Sequence, residues 1–315
     1  MDKMKPKWLI EKDIFNENLT RLTDEITKQG FEYKIVQHIP FGGGTYDNFP
    51  DEDCIIFYGS LNLGKQLQRE KKWVPGVYNN MRELECLNYY GHMGKWLLNS
   101  PYMFITIKEL LRTKDFCFDI FGNKDDELFV RPSSGYKPFT GMVVGRTRMS
   151  QETLGYGYYH EDPSLLVAIS GAKQISREWR VVIGDKKVIT GSQYKINNEL
   201  EVLNDFPKEV EDYAQSIIPE DWQPDRLFVM DIAEYNNELY LLELNSFSSS
   251  GLYDCDLGRI VEVASKIALE DWRETYGEWS GDSFSCEHAN EVPCVCPCPP
   301  ECYCKLNSCK PRSQK

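Results

Sequence analysis

Three oxygen-bearing side chains interrupt two apolar stretches in the last third of the chain. Asp231 lies within LFVMDIAEY, and Glu243 and Asn245 lie within ELYLLELN. Burying such groups is costly unless a partner compensates them. Two carboxylates and an amide oxygen suit Mg²⁺, which in proteins is commonly shared with the phosphates of a nucleotide. The pattern therefore indicates a site for Mg²⁺ and a nucleoside triphosphate, and salt-bridged core acids are the alternative.

The strand register decides whether these three side chains meet. Residues two apart on a strand share a face, so Glu243 and Asn245 point the same way. A two-residue turn at 236–237 would leave Asp231 one position out of register with Glu243, whereas a three-residue turn over 236–238 would place the two acids opposite each other. We expect the three-residue turn, and hence a hairpin with both carboxylates on one face.

A second stretch, FVRPSSGYKPFTGMVV, supplies positive charge. It places Arg131 on a strand and Lys137 in a loop that also contains Gly135 and Gly141. Such a loop between two strands can fold over a polyphosphate, with backbone N–H groups as donors and the basic side chains as counter-charges. The alternative is an ordinary exposed hairpin loop.

Apolar periodicity predicts the elements that would position these groups. A strand over 7–10 and a helix over 16–29 predict a small α/β layer, and a helical pattern over 81–98 leads to a domain junction. The following region is rich in strands, with predicted spans 102–107, 127–132, 142–146, 165–170, 179–183, 188–194, 227–235 and 238–244. Two helices are predicted in this half of the chain, over 207–218 and 257–272.

Three stretches occur in an order that resembles the ATP-grasp superfamily: FVRPSSGYKPFTG, then SREWRVVIGDKKVITGSQYK, then FVMDIAEYNNELYLLELNSFSSSGLYDCD. The resemblance covers roughly residues 100–270. It is greatest to a small clade, common in phages and bacteria, in which arginine replaces the first nucleotide-binding lysine. It implies an α+β fold in which two α+β lobes grip ATP. We accordingly predict an α/β domain at 1–95, an ATP-grasp domain at 96–275 and a flexible Cys/Pro-rich tail at 280–315.

The resemblance also implies roles for individual residues. ATP phosphates would be contacted by Arg131 and Lys137, beneath a mobile loop formed by Phe139, Thr140 and Gly141. Backbone contacts to adenine would come from Val167, Ala168 and Ile169. The metal ligands would be Asp231, Glu243 and Asn245. The residues near the γ-phosphate and the acceptor, expected to be catalytic, would be Glu178, Arg180 and Lys195. No acid to hold the ribose is evident in AISGAKQIS, the stretch that follows the expected adenine contacts.

The implied activity is that of an ATP-dependent carboxylate–amine ligase acting on small molecules or peptides through an acylphosphate. The cofactors would be ATP and Mg²⁺ or Mn²⁺. The sequence contains no HExxH or Gly-x-Ser-x-Gly motif, so hydrolase interpretations lack their catalytic groups. The alternative is a non-catalytic nucleotide-binding protein whose Cys-rich tail binds soft metal ions.

Composition limits the classes of partner. The formal net charge is −13, which repels phosphodiester backbones and argues against nucleic acid as a partner. No apolar run approaches the roughly 20 residues that a membrane-spanning helix requires, so neither a membrane partner nor a spanning segment is expected. These features lead us to expect a cytoplasmic location. They do not indicate an oligomeric state.

Seven of the 11 cysteines lie in the last 30 residues, whereas only Cys54, Cys86, Cys117 and Cys255 lie in the first 285. The thiols of Cys294, Cys296 and Cys298 are close enough in sequence to reach one soft ion such as Zn²⁺ or Cu⁺. Three interpretations of the tail remain: a metallothionein-like metal cluster, a disordered redox-reactive segment, and a tethered peptide substrate.

Overall fold

A computed structural model describes residues 4–37, 49–150 and 164–277. The Cys-rich tail lies outside these ranges, so the Zn²⁺ or Cu⁺ site stays a prediction. Within the described residues the strands form one parallel sheet and two antiparallel sheets, with helices packed against them. This arrangement confirms the predicted α+β class with a preceding α/β layer.

The N-terminal region is a parallel sheet with strand order β2-β1-β3-β4. Its elements are β1 (Lys7–Glu11), α1 (Asn16–Lys28), β2 (Glu32–Val36), β3 (Cys54–Tyr58), α2 (Leu61–Glu70) and β4 (Val74–Gly76). The helix predicted over 81–98 is shorter in the structure: α3 (Cys86–Met93) is followed by a single 3-10 turn, Gly94–Trp96. It begins at Cys86 because Ser133 accepts hydrogen bonds there from the backbone N–H groups of Cys86 and Leu87.

The second sheet, with order β5-β8-β6-β7, belongs to what we call the small lobe. Its elements are β5 (Tyr102–Thr106), α4 (Ile107–Arg112), α5 (Lys114–Phe121), β6 (Glu127–Pro132), β7 (Met142–Gly145) and β8 (Leu166–Gly171). The two short helices, which the sequence patterns did not predict, cover one face of the sheet. Leu110 and Phe118 pack there against Leu128, Val130 and Ile169.

The third sheet, with order β11-β10-β9-β12-β13, belongs to the large lobe. Its elements are β9 (Arg177–Gly184), β10 (Lys187–Ile196), β11 (Glu199–Leu203), α6 (Lys208–Ser216), β12 (Leu227–Tyr235), β13 (Glu238–Ser246) and α7 (Leu257–Tyr276). Side chains alternate along β9, so that Trp179 and Val181 pack towards α6 whereas Val182 packs towards α7. The sheet is therefore covered on both faces.

Helix α7 connects the large lobe to the N-terminal sheet. One apolar core contains Ile260 and Ala264 of this helix, Trp8 and Ile56 of the parallel sheet, and Val182 of β9. The boundary predicted near residue 95 stays a prediction, because this core is shared by segments on both sides of it. None of the helices in the described ranges has the length and apolarity needed to cross a membrane.

The β12–β13 hairpin reaches the expected pairing by an unexpected route. Its turn has two residues, Asn236 and Asn237, both with positive φ, as a tight type I′ hairpin requires. The predicted three-residue turn is therefore wrong. A β-bulge nevertheless shifts the register by one residue at Leu242, so that Asp231 lies opposite Glu243.

Candidate active site between two cavities

Six polar side chains from the two lobes meet where the cleft between the lobes is deepest. We call them the junction cluster: Arg131, Lys137, Arg180, Asp231, Glu243 and Asn245. Adjacent strands place three of them in a row, because Asp231 of β12 pairs with Arg180 of β9 on one side and with Glu243 of β13 on the other. The small lobe contributes Arg131 from the end of β6 and Lys137 from the following loop.

Asp231 lies at the back of the cluster. Its side chain has no solvent exposure. One carboxylate oxygen accepts from Arg180 Nε at 3.0 Å, and the other accepts from Arg180 Nη2 at 2.8 Å and from Asn245 Nδ2 at 3.1 Å. A metal ion would have to compete with Arg180 for this carboxylate. Direct ligation by Asp231 stays a prediction, and in this arrangement the group orients the Asn245 amide.

Glu243 lies at the front of the cluster, between two cations. Its carboxylate accepts from Arg131 Nη2 at 2.9 Å and from Lys137 Nζ at 3.0 and 3.1 Å. Burial alone would raise the pKa of the Glu243 carboxyl, but the adjacent Lys137 and Arg131 cations hold that pKa well below its usual range. Glu243 is therefore ionised throughout the physiological pH range.

Lys137 reaches both predicted metal ligands on β13. Its Nζ donates to both carboxylate oxygens of Glu243 and also to Asn245 Oδ1. Three oxygens thus converge on one positive charge. Carboxylate and amide oxygens are donors that Mg²⁺ accepts, so this donor set fits a divalent cation with the ammonium displaced. Across the described residues no three His, Cys, Asp or Glu side chains form a metal-binding group by themselves.

Two cavities adjoin the cluster, and both are lined by Arg131 and Lys137. The larger one, about 420 Å³, also includes Glu243 in its wall. The smaller one, about 170 Å³, also includes Arg180 and Asn245. The remaining wall of the smaller cavity is largely a serine-rich loop after β13, with Ser246, Ser249 and Ser250. The cations therefore face two separate spaces at once.

The predicted phosphate loop forms one wall of the larger cavity, to which Phe139, Thr140 and Gly141 all contribute. Phe139 is only 2% exposed and packs in the core of the small lobe, which anchors this part of the loop. Gly141 lies so close to Phe129 that a Cβ would come within 2.8 Å of its ring, so a larger residue would move the loop. The mobility of the loop stays a prediction.

The predicted adenine contacts need correction. Val167, Ala168 and Ile169 lie in β8, an internal strand that pairs with β5 on one side and β6 on the other. Their backbone N–H and C=O groups are therefore used by the sheet and do not face a ligand. The segment that follows, 172–176, crosses from the small lobe to β9, and its Lys173 and Ile175 line the larger cavity. The sequence-based prediction therefore placed the contact several residues too early in the chain.

Glu178 lines the larger cavity, three residues after Ile175. Its carboxylate accepts a hydrogen bond from the Tyr194 hydroxyl and lies 3.6 Å from Lys195 Nζ. Burial raises the pKa of the Glu178 carboxyl, while Tyr194 and Lys195 oppose that rise. Lys195, from the neighbouring strand, also lines this cavity. The structure thus brings Glu178 and Lys195 together, as their predicted positions on adjacent strands required.

Arg180 is held more tightly than the prediction of a catalytic role implied. Besides its two bonds to Asp231, its Nη1 donates to the Gly251 carbonyl at 2.9 Å. Its guanidinium also lies over the rings of Tyr194 and Tyr253, which stack on each other. Arg180 therefore fixes the loop after β13 against the sheet, while one edge lines the smaller cavity.

Comparisons with known proteins identify the fold. Residues 113–263 match a family model described as an ATP-grasp domain of the arginine-to-lysine clade, family 2. The comparison with curated protein sequences gave no match. Among solved structures, a D-cycloserine synthetase is 10% identical with a TM-score of 0.56 over 84% of this chain and 99% of its own.

Two further structures are similar over nearly their whole lengths. A RiPP-associated ATP-grasp ligase from Chryseobacterium gregarium, in complex with ADP and a leader and core peptide, is 11% identical with a TM-score of 0.52, covering 85% of this chain and 97% of its own. An ATP-grasp ligase with a phosphomimetic variant of its minimal precursor, Mg and ADP is 13% identical with a TM-score of 0.50, covering 85% and 99%. The chain belongs to the ATP-grasp superfamily.

Proposed function

We propose that this protein is an ATP- and Mg²⁺-dependent ligase that joins a carboxylate to an amine through an acylphosphate. The observation that carries the proposal is that Arg131 and Lys137 line two cavities that meet beside Glu243. Reaction between two bound molecules requires adjoining sites with charge stabilisation at their boundary. The boundary of these cavities holds two cations and an ionised carboxylate.

We place the nucleotide in the larger cavity. Segment 172–176 has the position to contact the base with its backbone, since it lies at the cavity and has left the small-lobe sheet. Glu178 follows directly on β9, and its carboxylate can accept hydrogen bonds from ribose hydroxyls. This assignment supplies the ribose acid that the sequence pattern did not reveal. The triphosphate then extends towards Arg131, Lys137 and the loop containing Thr140 and Gly141.

We assign metal binding to Glu243 and Asn245, with Asp231 orienting the amide or sharing the ion. Mg²⁺ supplies positive charge between the β- and γ-phosphates when it is bound. The three oxygens now contacted by Lys137 Nζ are its ligand candidates. When the nucleotide binds, the ammonium is free to move from these oxygens to the phosphates. One positive charge thus replaces another at the same acids, and the charge balance of the buried cluster is preserved.

We place the carboxylate substrate in the smaller cavity, where Arg180 and Lys137 provide positive charge and Ser249 contributes a buried hydroxyl without a hydrogen-bond partner. A carboxylate oxygen attacks the γ-phosphorus, the bond from phosphorus to the bridging oxygen breaks, and ADP leaves. The amine nitrogen then attacks the acyl carbon and loses a proton, and inorganic phosphate leaves as the amide forms. Arg131 and Lys137 stabilise the charge on the transferring phosphoryl group.

The substrate class follows from the size of the smaller cavity and from the similar structures. About 170 Å³ admits a carboxylate on a slim chain, such as an amino acid or a peptide side chain, but no bulky ring system. One similar structure is a D-cycloserine synthetase and another holds a leader and core peptide. We therefore infer that the acid is an amino acid or a peptide.

The test is incubation of the purified protein with ATP, Mg²⁺ and mixtures of amino acids and peptides, followed by mass spectrometry and measurement of ADP. We expect a condensed product, lighter by one water than its two components, that requires both ATP and Mg²⁺. Thermal unfolding with ATP, with and without Mg²⁺, provides the binding control, since a ligand specific to the folded state raises stability. Binding of ATP without any product or ADP would favour the non-catalytic alternative.

A further inference from the structure

Asn99 is a buried polar residue that the proposed chemistry does not use. It is 6% exposed and lines the larger cavity, yet its side-chain nitrogen has no hydrogen-bond partner among the described residues. The hydroxyl of Tyr90 lies beside it, and Asn99 lowers the pKa of that hydroxyl against the larger effect of burial. The two groups do not meet hydrogen-bond geometry, and the Tyr90 hydroxyl is also unpartnered. An unsatisfied buried donor costs stability and calls for an explanation.

The position of Asn99 is fixed by the strands on either side. The N–H of Leu98 donates to the Leu241 carbonyl at 2.9 Å, which ties this segment to β13 beside Leu242. Three residues later, Tyr102 pairs with Ser170 at the end of the small-lobe sheet. Segment 172–176 leaves the sheet at this same end. Asn99 is therefore held between β13 and the segment to which we assign the base.

The cavity wall around Asn99 suits a flat aromatic ring. Leu98, Pro132, Ile175 and Leu242 line the larger cavity and not the smaller one. The basic residues Arg131 and Lys137 lie where the two cavities meet, which leaves the apolar part for the base. A purine bound there would be surrounded by apolar side chains, with the Asn99 amide as a nearby hydrogen-bonding group.

We infer that Asn99 recognises adenine at its N6/N7 edge, with Nδ2 donating to N7 and Oδ1 accepting from the 6-amino group. The inference rests on the proposed nucleotide site. An Asn side chain makes this bidentate pair with adenine because the spacing of its donor and acceptor matches that edge. Guanine has acceptors at both positions, so the Asn99 oxygen would face the oxygen of the guanine ring. Asn99 thereby makes the site specific for ATP over GTP, and it lies outside the region matched by the family model, residues 113–263.

The test compares single atoms of the ligand. Dissociation constants for ATP, 7-deaza-ATP and GTP, each with Mg²⁺, are measured by calorimetry on the wild-type chain, on Asn99→Ala and on Asn18→Ala. Asn18 is the matched control, because its side-chain nitrogen is also buried without a partner but lines neither cavity. We expect the wild-type chain and Asn18→Ala to bind 7-deaza-ATP about tenfold more weakly than ATP. In Asn99→Ala the two ligands should bind equally, and discrimination against GTP should fall.

Each outcome bears on a different statement. Equal binding of ATP and 7-deaza-ATP by the wild-type chain, or an unchanged ratio in Asn99→Ala, overturns the role of Asn99 while leaving the proposed function standing. Failure of every nucleotide to bind overturns the proposed function itself, and the inference with it. The ratio of two ligands on one variant is unaffected by a general loss of stability. Should Asn99→Ala not fold, Asn99→Ser serves, and the wild-type ratio is itself a test.

Discussion

Two clusters of charged side chains in the large lobe look alike in composition and differ in what surrounds them. The junction cluster contains two arginines, a lysine, two acids and an amide. The second, which we call the Arg226 cluster, surrounds Arg226 with Asp185, Glu270, Asp271 and Glu274, at N–O distances of 2.5–3.8 Å. Arg226 joins the β9–β10 turn to α7, and no member of its cluster lines either cavity.

The difference lies in burial and in access to a cavity. The side chains of Arg131, Arg180 and Asp231 are nearly or fully buried, whereas Glu274 of the Arg226 cluster is 74% exposed. Exposed ion pairs contribute little because water and salt screen them. Buried charges are costly and persist only when they are well paired or serve a function. Charge alone therefore does not mark a functional site, whereas buried charge that opens onto a cavity does.

The largest difference between the clusters should appear when an acid is removed from each. We expect Glu243→Ala to lower ligase turnover by about a thousandfold or more, because it removes a metal ligand from the reaction centre. The equivalent change in the other cluster, Asp271→Ala, should leave turnover of the folded protein within a factor of about two. Initial rates of ADP formation measure both effects, with circular dichroism to confirm folding. Comparable losses in the two variants would remove the distinction between the clusters.

Lys137 provides the second test, because it lies on the oxygens assigned to Mg²⁺. We expect Lys137→Met to lower kcat/KM for ATP about a hundredfold, through the loss of a cation on the phosphates. In the absence of nucleotide the same variant should bind Mn²⁺ more tightly than the wild-type chain, since Glu243 and Asn245 no longer hold an ammonium. Electron paramagnetic resonance of Mn²⁺ measures the second effect. Lys208→Met, which removes an exposed lysine of α6, is the control.

Weaker Mn²⁺ binding by Lys137→Met would contradict the ligand assignment while leaving the phosphate role intact. Loss of ATP affinity without any change in Mn²⁺ binding would mean that the metal ligands lie elsewhere. The two measurements therefore separate the roles of the cation and of the oxygens around it.

The sequence predicted the strands of the site more reliably than their register. The apolar runs around Asp231 and Glu243 are bounded by Asn236 and Asn237, which mark a tight turn, and β12 has the predicted bounds. The bulge at Leu242 has no comparable signal, since any apolar residue can occupy it. The pairing was therefore predicted correctly from a wrong turn.

Side-chain environment was the other limit of the sequence. The motif containing Glu178 and Arg180 places both on one face of β9, but only the structure reveals that Arg180 is saturated by Asp231 and Gly251 whereas Glu178 faces the larger cavity. The adenine segment was misplaced for a related reason. An apolar strand such as β8 has the same sequence pattern whether its backbone edges are free or paired on both sides.

Arg226 offers the converse of the Glu243 experiment. We expect Arg226→Ala to lower the free energy of unfolding by about 1–3 kcal/mol, because four acids then repel one another across the turn and α7. Turnover of the folded protein should not change. Urea unfolding measures the stability, and Arg259→Ala, which removes an arginine of α7 outside the cluster, is the control. A loss of turnover with unchanged stability would place the Arg226 cluster in the reaction and contradict the comparison.

The smallest effect concerns Asp225, next to Arg226 in sequence but bound to backbone N–H groups of Asn80 and Arg226. Burial raises the pKa of the Asp225 carboxyl to about 7, the opposite of the shift at Glu243, where cations are adjacent. Because the folded state holds this proton more tightly than the unfolded state, its contribution to stability is full below the unfolded pKa of about 4 and is lost as pH rises through about 7.

We therefore expect Asp225→Asn to flatten the fall of stability between pH 4.5 and 7.5 and to be more stable than the wild-type chain, relative to pH 4.5, at the upper end. Urea unfolding at these two pH values measures the slope, and the exposed Asp221→Asn is the control. Equal slopes for Asp225→Asn and the wild-type chain would mean that the Asp225 carboxyl is ionised in the folded state. In that case burial at this position would be offset as completely as it is at Glu243, and unpaired burial would no longer distinguish the two acids.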